Sequence, residues 1–176
     1  MGPRRALLSV LFLCAVTTHL SAGLIIYKDV ISGDEMFSDI YKIKTFADGF
    51  FYDVEGKLVT TQEYLISLDS YSDIIGVDIA VNHNLQETNF TKDEYKTYIK
   101  EYLRRVKAYL DPDRVHDFRA AAQGGIDRIL KSFDGLKFFT GESKNCEGMV
   151  ALLDYMEDGV TPYMLFFKDG LVQEKA

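Results

Sequence analysis

The chain has 176 residues, with 27 acidic side chains against 20 basic ones and a net charge of −7. That balance disfavours non-specific attachment to nucleic acid or to an anionic membrane, and points to cations and to basic faces on other proteins. A hydrophobic fraction of 47% with 27% charged residues is that of a folded domain and excludes wholesale disorder.

Residues 1 to 23, MGPRRALLSVLFLCAVTTHLSAG, read as an export leader. Arg4 and Arg5 precede a mostly apolar run of 11 residues, Ala6 to Val16, which is signal-peptide length and too short to span a bilayer. Ser21 and Gly23 place small side chains three residues and one residue before a cut after Gly23. The competing reading, a buried N-terminal helix, is opposed by Pro3, the paired arginines and the small-residue exit. Cleavage would leave one domain, residues 24 to 176, with a net charge of −9. Cys146 would then be the only thiol, so no internal disulfide could form; it would be either a tolerated thiol or a link between two chains.

From Leu24 to Phe90 the pattern is of short strands. Leu24 to Tyr27, Ile40 to Phe46, Phe50 to Val54, Gly76 to Val81 and Leu85 to Phe90 are rich in β-branched and aromatic residues. Between two of them lies Thr60 to Asp73, polar and acidic, which reads as a mobile loop.

At Thr91 the period changes. Tyr95, Tyr98, Ile99, Tyr102, Leu103, Val106, Tyr109 and Leu110 recur at three-and-four spacing, with lysines and arginines on the other sides, which predicts an amphipathic helix. Thr91 and Glu94 form a capping-box pattern, and Pro112 is expected to end the helix. Val115 to Phe133 predicts a second helix, so residues 91 to 133 form an antiparallel helical hairpin. Strands return at Phe138 to Thr140, Met149 to Tyr155 and Tyr163 to Phe167. The fold class is α+β, mainly β, with the hairpin inserted between strands.

The hairpin carries ten basic and seven acidic residues, whereas the rest of the cleaved chain carries eight and twenty. Lys96, Lys100, Arg104, Arg105 and Lys107 therefore form either a solvated helical face or a dock for an acidic partner.

Recognisable catalytic motifs are lacking. His83 and His116 have no triad partner at motif spacing, and there is no Walker loop, dinucleotide fingerprint, HExxH or CxxC. Glu147, Asp154, Glu157 and Asp158 surround one strand and its turn and offer the hard oxygens that calcium prefers, although the spacing is not that of an EF-hand and ordinary acidic turns look the same. Asn89-Phe90-Thr91 is an N-glycosylation sequon in an exported chain, although the helix cap is a sufficient role for Thr91.

Three blocks carry a resemblance: IIYKDVISGDEMFSDIYKI from Ile25, GVDIAVNHNLQETNFTKDEYKTYIKEY from Gly76, and FFTGESKNCEGMVALLDYMEDGVTPYMLFFKDGL from Phe138. Together they resemble the translationally controlled tumour protein family, also called histamine-releasing factor or fortilin, over essentially all of Leu24 to Ala176. Leu24 falls where that family's initiator methionine stands. The resemblance implies a β-tent akin to the Rab-exchange accessory proteins. It also implies a non-enzymatic, multi-partner protein that binds calcium weakly and tubulin or microtubules through the hairpin. Growth and anti-apoptotic roles with translation or survival factors are implied in cytosol, and histamine release through an immunoglobulin or cell-surface receptor outside cells. Exchange activity toward a Ras-type GTPase would fall to Glu35. Three departures stand out: the shortened loop at Thr60 to Asp73, the ending EKA where many members end in cysteine, and the leader itself. The expectation is a secreted protein, monomeric or joined through Cys146, with a cytosolic microtubule-binding member as the alternative.

Overall fold

The computed structural model describes residues 23–65 and 70–176, so the expected leader lies outside the described residues apart from Gly23. Three antiparallel sheets form the body. The first joins β1 (Ile25–Asp29) to β2 (Glu35–Ser38) and to β11 (Leu171–Lys175) in the order β11-β1-β2. The second has six strands in the order β3-β4-β10-β9-β8-β7, formed by Lys42–Phe46, Phe51–Glu55, Pro162–Phe167, Val150–Tyr155, Lys137–Thr140 and Gln86–Thr88. The third is a ribbon of β5 (Leu58–Leu65) and β6 (Ser70–Val77), followed by the short helix α1 (Asp78–Asn82).

The hairpin helices are α2 (Lys92–Val106) and α3 (Val115–Lys131). The capping box is present: Thr91 Oγ1 accepts from the Glu94 amide at 3.3 Å while the Glu94 carboxylate accepts from the Thr91 amide at 2.8 Å. Pro112 does not end α2. That helix stops at Val106, and Pro112 opens a 3-10 turn leading into α3, where its missing amide hydrogen costs nothing.

The six-stranded sheet is covered on one face and, around β4 and β10, on the other as well. Against one lie the helices, with the Tyr95 ring 5.3 Å from Phe138, Tyr102 5.4 Å from Phe167 and Phe118 6.2 Å from Phe50. Against the other lies the three-stranded sheet, where Phe37 stacks on Tyr27 at 4.3 Å and meets Phe166 at 4.5 Å. Aromatic rings dominate this core, each burying a large apolar area in offset or edge contacts.

Two expectations are corrected. The arms of Thr60 to Asp73 are not loop: residues 60–65 and 70–73 pair, Thr60 opposite Ile75 and Gln62 opposite Asp73, so the polar backbone of these arms is satisfied within the ribbon, while residues 66–69 lie outside the described residues. Gly76 to Val81 is not one strand, because Asp78 stops it. Its carboxylate accepts from the amides of Lys57 at 2.8 Å and Ile79 at 2.9 Å, which turns the chain into α1.

Candidate functional site

The β1–β2 loop is built around a buried acid. Asp29 is 1% exposed, and its Oδ2 accepts from Ser32 N and Oγ, both at 2.8 Å, and from Met149 N at 3.0 Å. Its Oδ1 accepts from the Tyr102 hydroxyl at 3.1 Å, so one carboxylate ties β1, α2 and the start of β9 together. Asp34, on the same loop, accepts from Ser143 Oγ at 2.6 Å, which clamps the loop to the turn before β9. Gly141 is required there, because a Cβ would overlap the Asp34 side chain. Glu35 stands exposed beside this clamped segment. Close enough to feel its charge is His83, whose two ring nitrogens are buried with no hydrogen-bond partner among the described residues. Desolvation holds the His83 imidazole below its ordinary pKa, and the Glu35 charge opposes that shift without cancelling it.

Tyr98 adds a second tie between hairpin and loop. Its hydroxyl donates to the Gly148 carbonyl and accepts from the Val150 amide, both at 2.8 Å. Asp29 was not singled out by the sequence, and Tyr98 and Tyr102 only as apolar helix-face residues; an acid at the end of a strand and tyrosines on such a face carry no signal of a joint role.

The five basic residues expected to dock a partner separate into two groups. Lys96 pairs with Asp93 at 2.9 Å, Arg104 with Glu101 at 3.0 Å and Arg105 with Glu147 at 2.7 Å. Lys100 and Lys107 have no acidic partner among the described residues, and Lys100 is exposed. The free cationic charge of this face is thus smaller than the sequence suggested.

The four calcium candidates are not brought into one ligand set. Glu147 is held by Arg105, whereas Asp154 accepts from the Tyr163 hydroxyl at 3.2 Å and from the Tyr155 amide at 2.8 Å. Burial and the Asp154 charge hold the Tyr163 phenol up at about 12. Asp158 accepts from the amides of Val160 at 2.9 Å and Thr161 at 2.8 Å, closing its own turn. Glu157 is exposed, and among the described residues no group of three or more His, Cys, Asp or Glu side chains could hold a metal ion. Strand alternation explains the dispersal, since acids adjacent in sequence leave β9 and its turn in different directions.

Asn89 and Cys146 are both exposed, and among the described residues no helix is long and apolar enough to cross a membrane.

The family model described as translationally controlled tumour protein matches residues 24–172. The translationally-controlled tumor protein of Homo sapiens is 51% identical over 171 residues, covering 86% of this chain and 99% of that protein. The homolog from Xenopus tropicalis is 50% identical with the same coverage. Among solved structures, the translationally controlled tumor-associated protein of Schizosaccharomyces pombe superposes with a TM-score of 0.76 at 37% identity, covering 86% of this chain and 99% of that one. The Caenorhabditis elegans protein gives 0.68 at 29% identity, covering 86% and 98%.

Proposed function

Since the chain belongs to the translationally controlled tumour protein family, we propose that it is a non-enzymatic recognition protein exported through its leader, acting outside cells in the manner of a histamine-releasing factor. One observation carries the export reading: the family match begins at Leu24, the first residue after the cut expected at Gly23. A recognition role is supported by a body whose conspicuous polar groups, Asp29, Asp34 and Asp158, are occupied in holding loops rather than aimed together at a substrate. Mass spectrometry of the native N-terminus tests export. A start at Leu24 is expected; an intact Met1 in cytosolic protein would overturn it and return the chain to the cytosolic, microtubule-binding reading.

Partner binding falls to two surfaces. Of the five hairpin cations expected to dock an acidic protein such as tubulin, Lys100 and Lys107 are left available, because Lys96, Arg104 and Arg105 are already paired. Microtubule co-sedimentation of Lys100→Glu/Lys107→Glu protein should be weaker and less salt-dependent than wild type; unchanged binding would reject this surface. Glu35 is the exposed acid available to a small GTPase, and Glu35→Ala should abolish any acceleration of nucleotide release. Calcium remains a proposal of the resemblance, with the acidic surface as its support and isothermal titration as its test.

A further inference from the structure

The outer face of the six-stranded sheet loses its cover toward β7, β8 and β9. At the β4–β10 end the three-stranded sheet packs over it through Phe37 and Phe166. At the other end, among the described residues, α1 and the root of the β5–β6 ribbon reach across, and between them lies a cavity of about 480 Å³. Its floor is Phe139 and Leu153, which share that face by strand register. Its mouth carries four apolar side chains that the fold leaves in water: Ile75 is 71% exposed, Leu58 43%, Val81 39% and Tyr155 39%. Large exposed apolar side chains scattered singly are ordinary, but four converging on one cavity mark a binding surface. Gly76 eases the arrangement, since a Cβ there would come within 3.1 Å of Val81 Cγ2, which would have to give by a few tenths of an ångström.

The chemistry of the walls selects the occupant. Their charged side chains are Glu87 and Lys137, which stand 3.5 Å apart and neutralise each other. No unpaired charge is left to attract an anion or a cation, and the net charge of −7 repels an anionic membrane. The volume falls within the range of small-molecule pockets. We propose that this cavity binds a neutral, largely apolar small molecule. The site is separate from the hairpin cations and from the Glu35 loop, and does not depend on export.

The test is a fluorescence titration of the purified protein with 1-aminoanthracene, a neutral polarity-sensitive probe, beside its anionic analogue anthracene-2-carboxylate. Saturable one-to-one binding of the neutral probe is expected, with the anion at least ~10-fold weaker, because its charge would be desolvated without a partner. Ile75→Asp and Val81→Asp, both at exposed positions, should weaken the neutral probe ~10-fold or more at unchanged circular dichroism. Val172→Asp on β11, 50% exposed and away from the cavity, should leave it unaltered. Absence of saturable binding, equal affinity for the anion, or equal loss in Val172→Asp would overturn the proposal. A dimer in sedimentation velocity that Ile75→Asp dissociates would also overturn it, since a second copy would then be what covers the face.

Discussion

Removing the Tyr95 hydroxyl should stabilise the protein, although it deletes a polar group from the first turn of α2. Tyr95 is 0% exposed, and its oxygen has no hydrogen-bond partner among the described residues. Its ring sits among Phe138 at 5.3 Å, Phe133 at 5.7 Å and Phe90 at 5.8 Å, and this burial drives the phenol pKa far up. A buried hydroxyl without a partner costs about 1–3 kcal/mol relative to its hydration in the unfolded chain. Tyr95→Phe keeps the ring and leaves a void of about 10 Å³, worth about 0.2 kcal/mol at ~24 cal/mol per Å³. The net expectation is a gain of about 1–2 kcal/mol, or about 2–8 °C in Tm for a domain of this size. Tyr98→Phe and Tyr102→Phe are the internal contrast. They lie on the same helical face, but their hydroxyls serve Gly148, Val150 and Asp29, so each should cost about 1–3 kcal/mol. Urea denaturation followed by far-ultraviolet circular dichroism reads all three. A loss of more than ~1 kcal/mol in Tyr95→Phe would refute the reasoning, because it would mean that the oxygen has a partner.

Neighbouring glycines in α3 should respond with opposite signs. A Cβ at Gly125 would overlap the buried Phe50 ring, so Gly125→Ala should cost about 1–2 kcal/mol after the gain in helix propensity, whereas the exposed Gly124 has nothing within 4 Å and Gly124→Ala should gain up to about 1 kcal/mol. Thermal unfolding of the two variants distinguishes them. His83 is neutral in the fold with its pKa below the ordinary 6.5, so the unfolded chain takes up the proton first and stability falls as pH drops from 6.5 toward the folded value. In His83→Phe that part of the pH dependence should disappear, measured as the difference in urea midpoint between pH 7.5 and 5.5. Asn89→Gln and Thr91→Ala both destroy the sequon, but only Thr91→Ala breaks the capping box, at a cost of about 1 kcal/mol. Glycosylated protein from a secretory host should therefore lose the same gel mobility shift in both variants and lose stability only in the second.

The hairpin was legible because each helix buries one face and so writes its period into the sequence, and β8 to β10 because they are nearly continuous apolar runs, buried on both faces of the sheet. Where a segment is not covered the signal vanishes. Among the described residues the β5–β6 ribbon pairs only within itself, and Thr60 to Asp73 shows no apolar alternation in sequence, so its polarity mimics a loop although the arms satisfy each other's backbone groups. β11 is an edge strand whose residues Val172 to Lys175 are all exposed, and it reads as a charged tail for the same reason. β2 fails in the opposite way: Met36, Phe37 and Ser38 are consecutively buried, too short a run to separate from a turn.

The site was less legible than the fold because its polar groups act across sequence distance. Asp29 and Met149 are 120 positions apart, and Asp34 and Ser143 are 109 apart, so neither clamp leaves a local motif. Proximity along the chain misled in the other direction. Glu147, Asp154, Glu157 and Asp158 span twelve positions, yet Arg105, Tyr163 and Thr161 draw three of them toward separate structural duties. The same contrast governs the hairpin. Its sequence shows a continuous basic stripe, but helical neighbours three residues away neutralise Lys96 and Arg104, and a loop acid 42 positions away neutralises Arg105. What an acidic partner would meet on that stripe is set by its unpaired lysines, 100 and 107 among the five expected docking residues, and not by the count of basic residues.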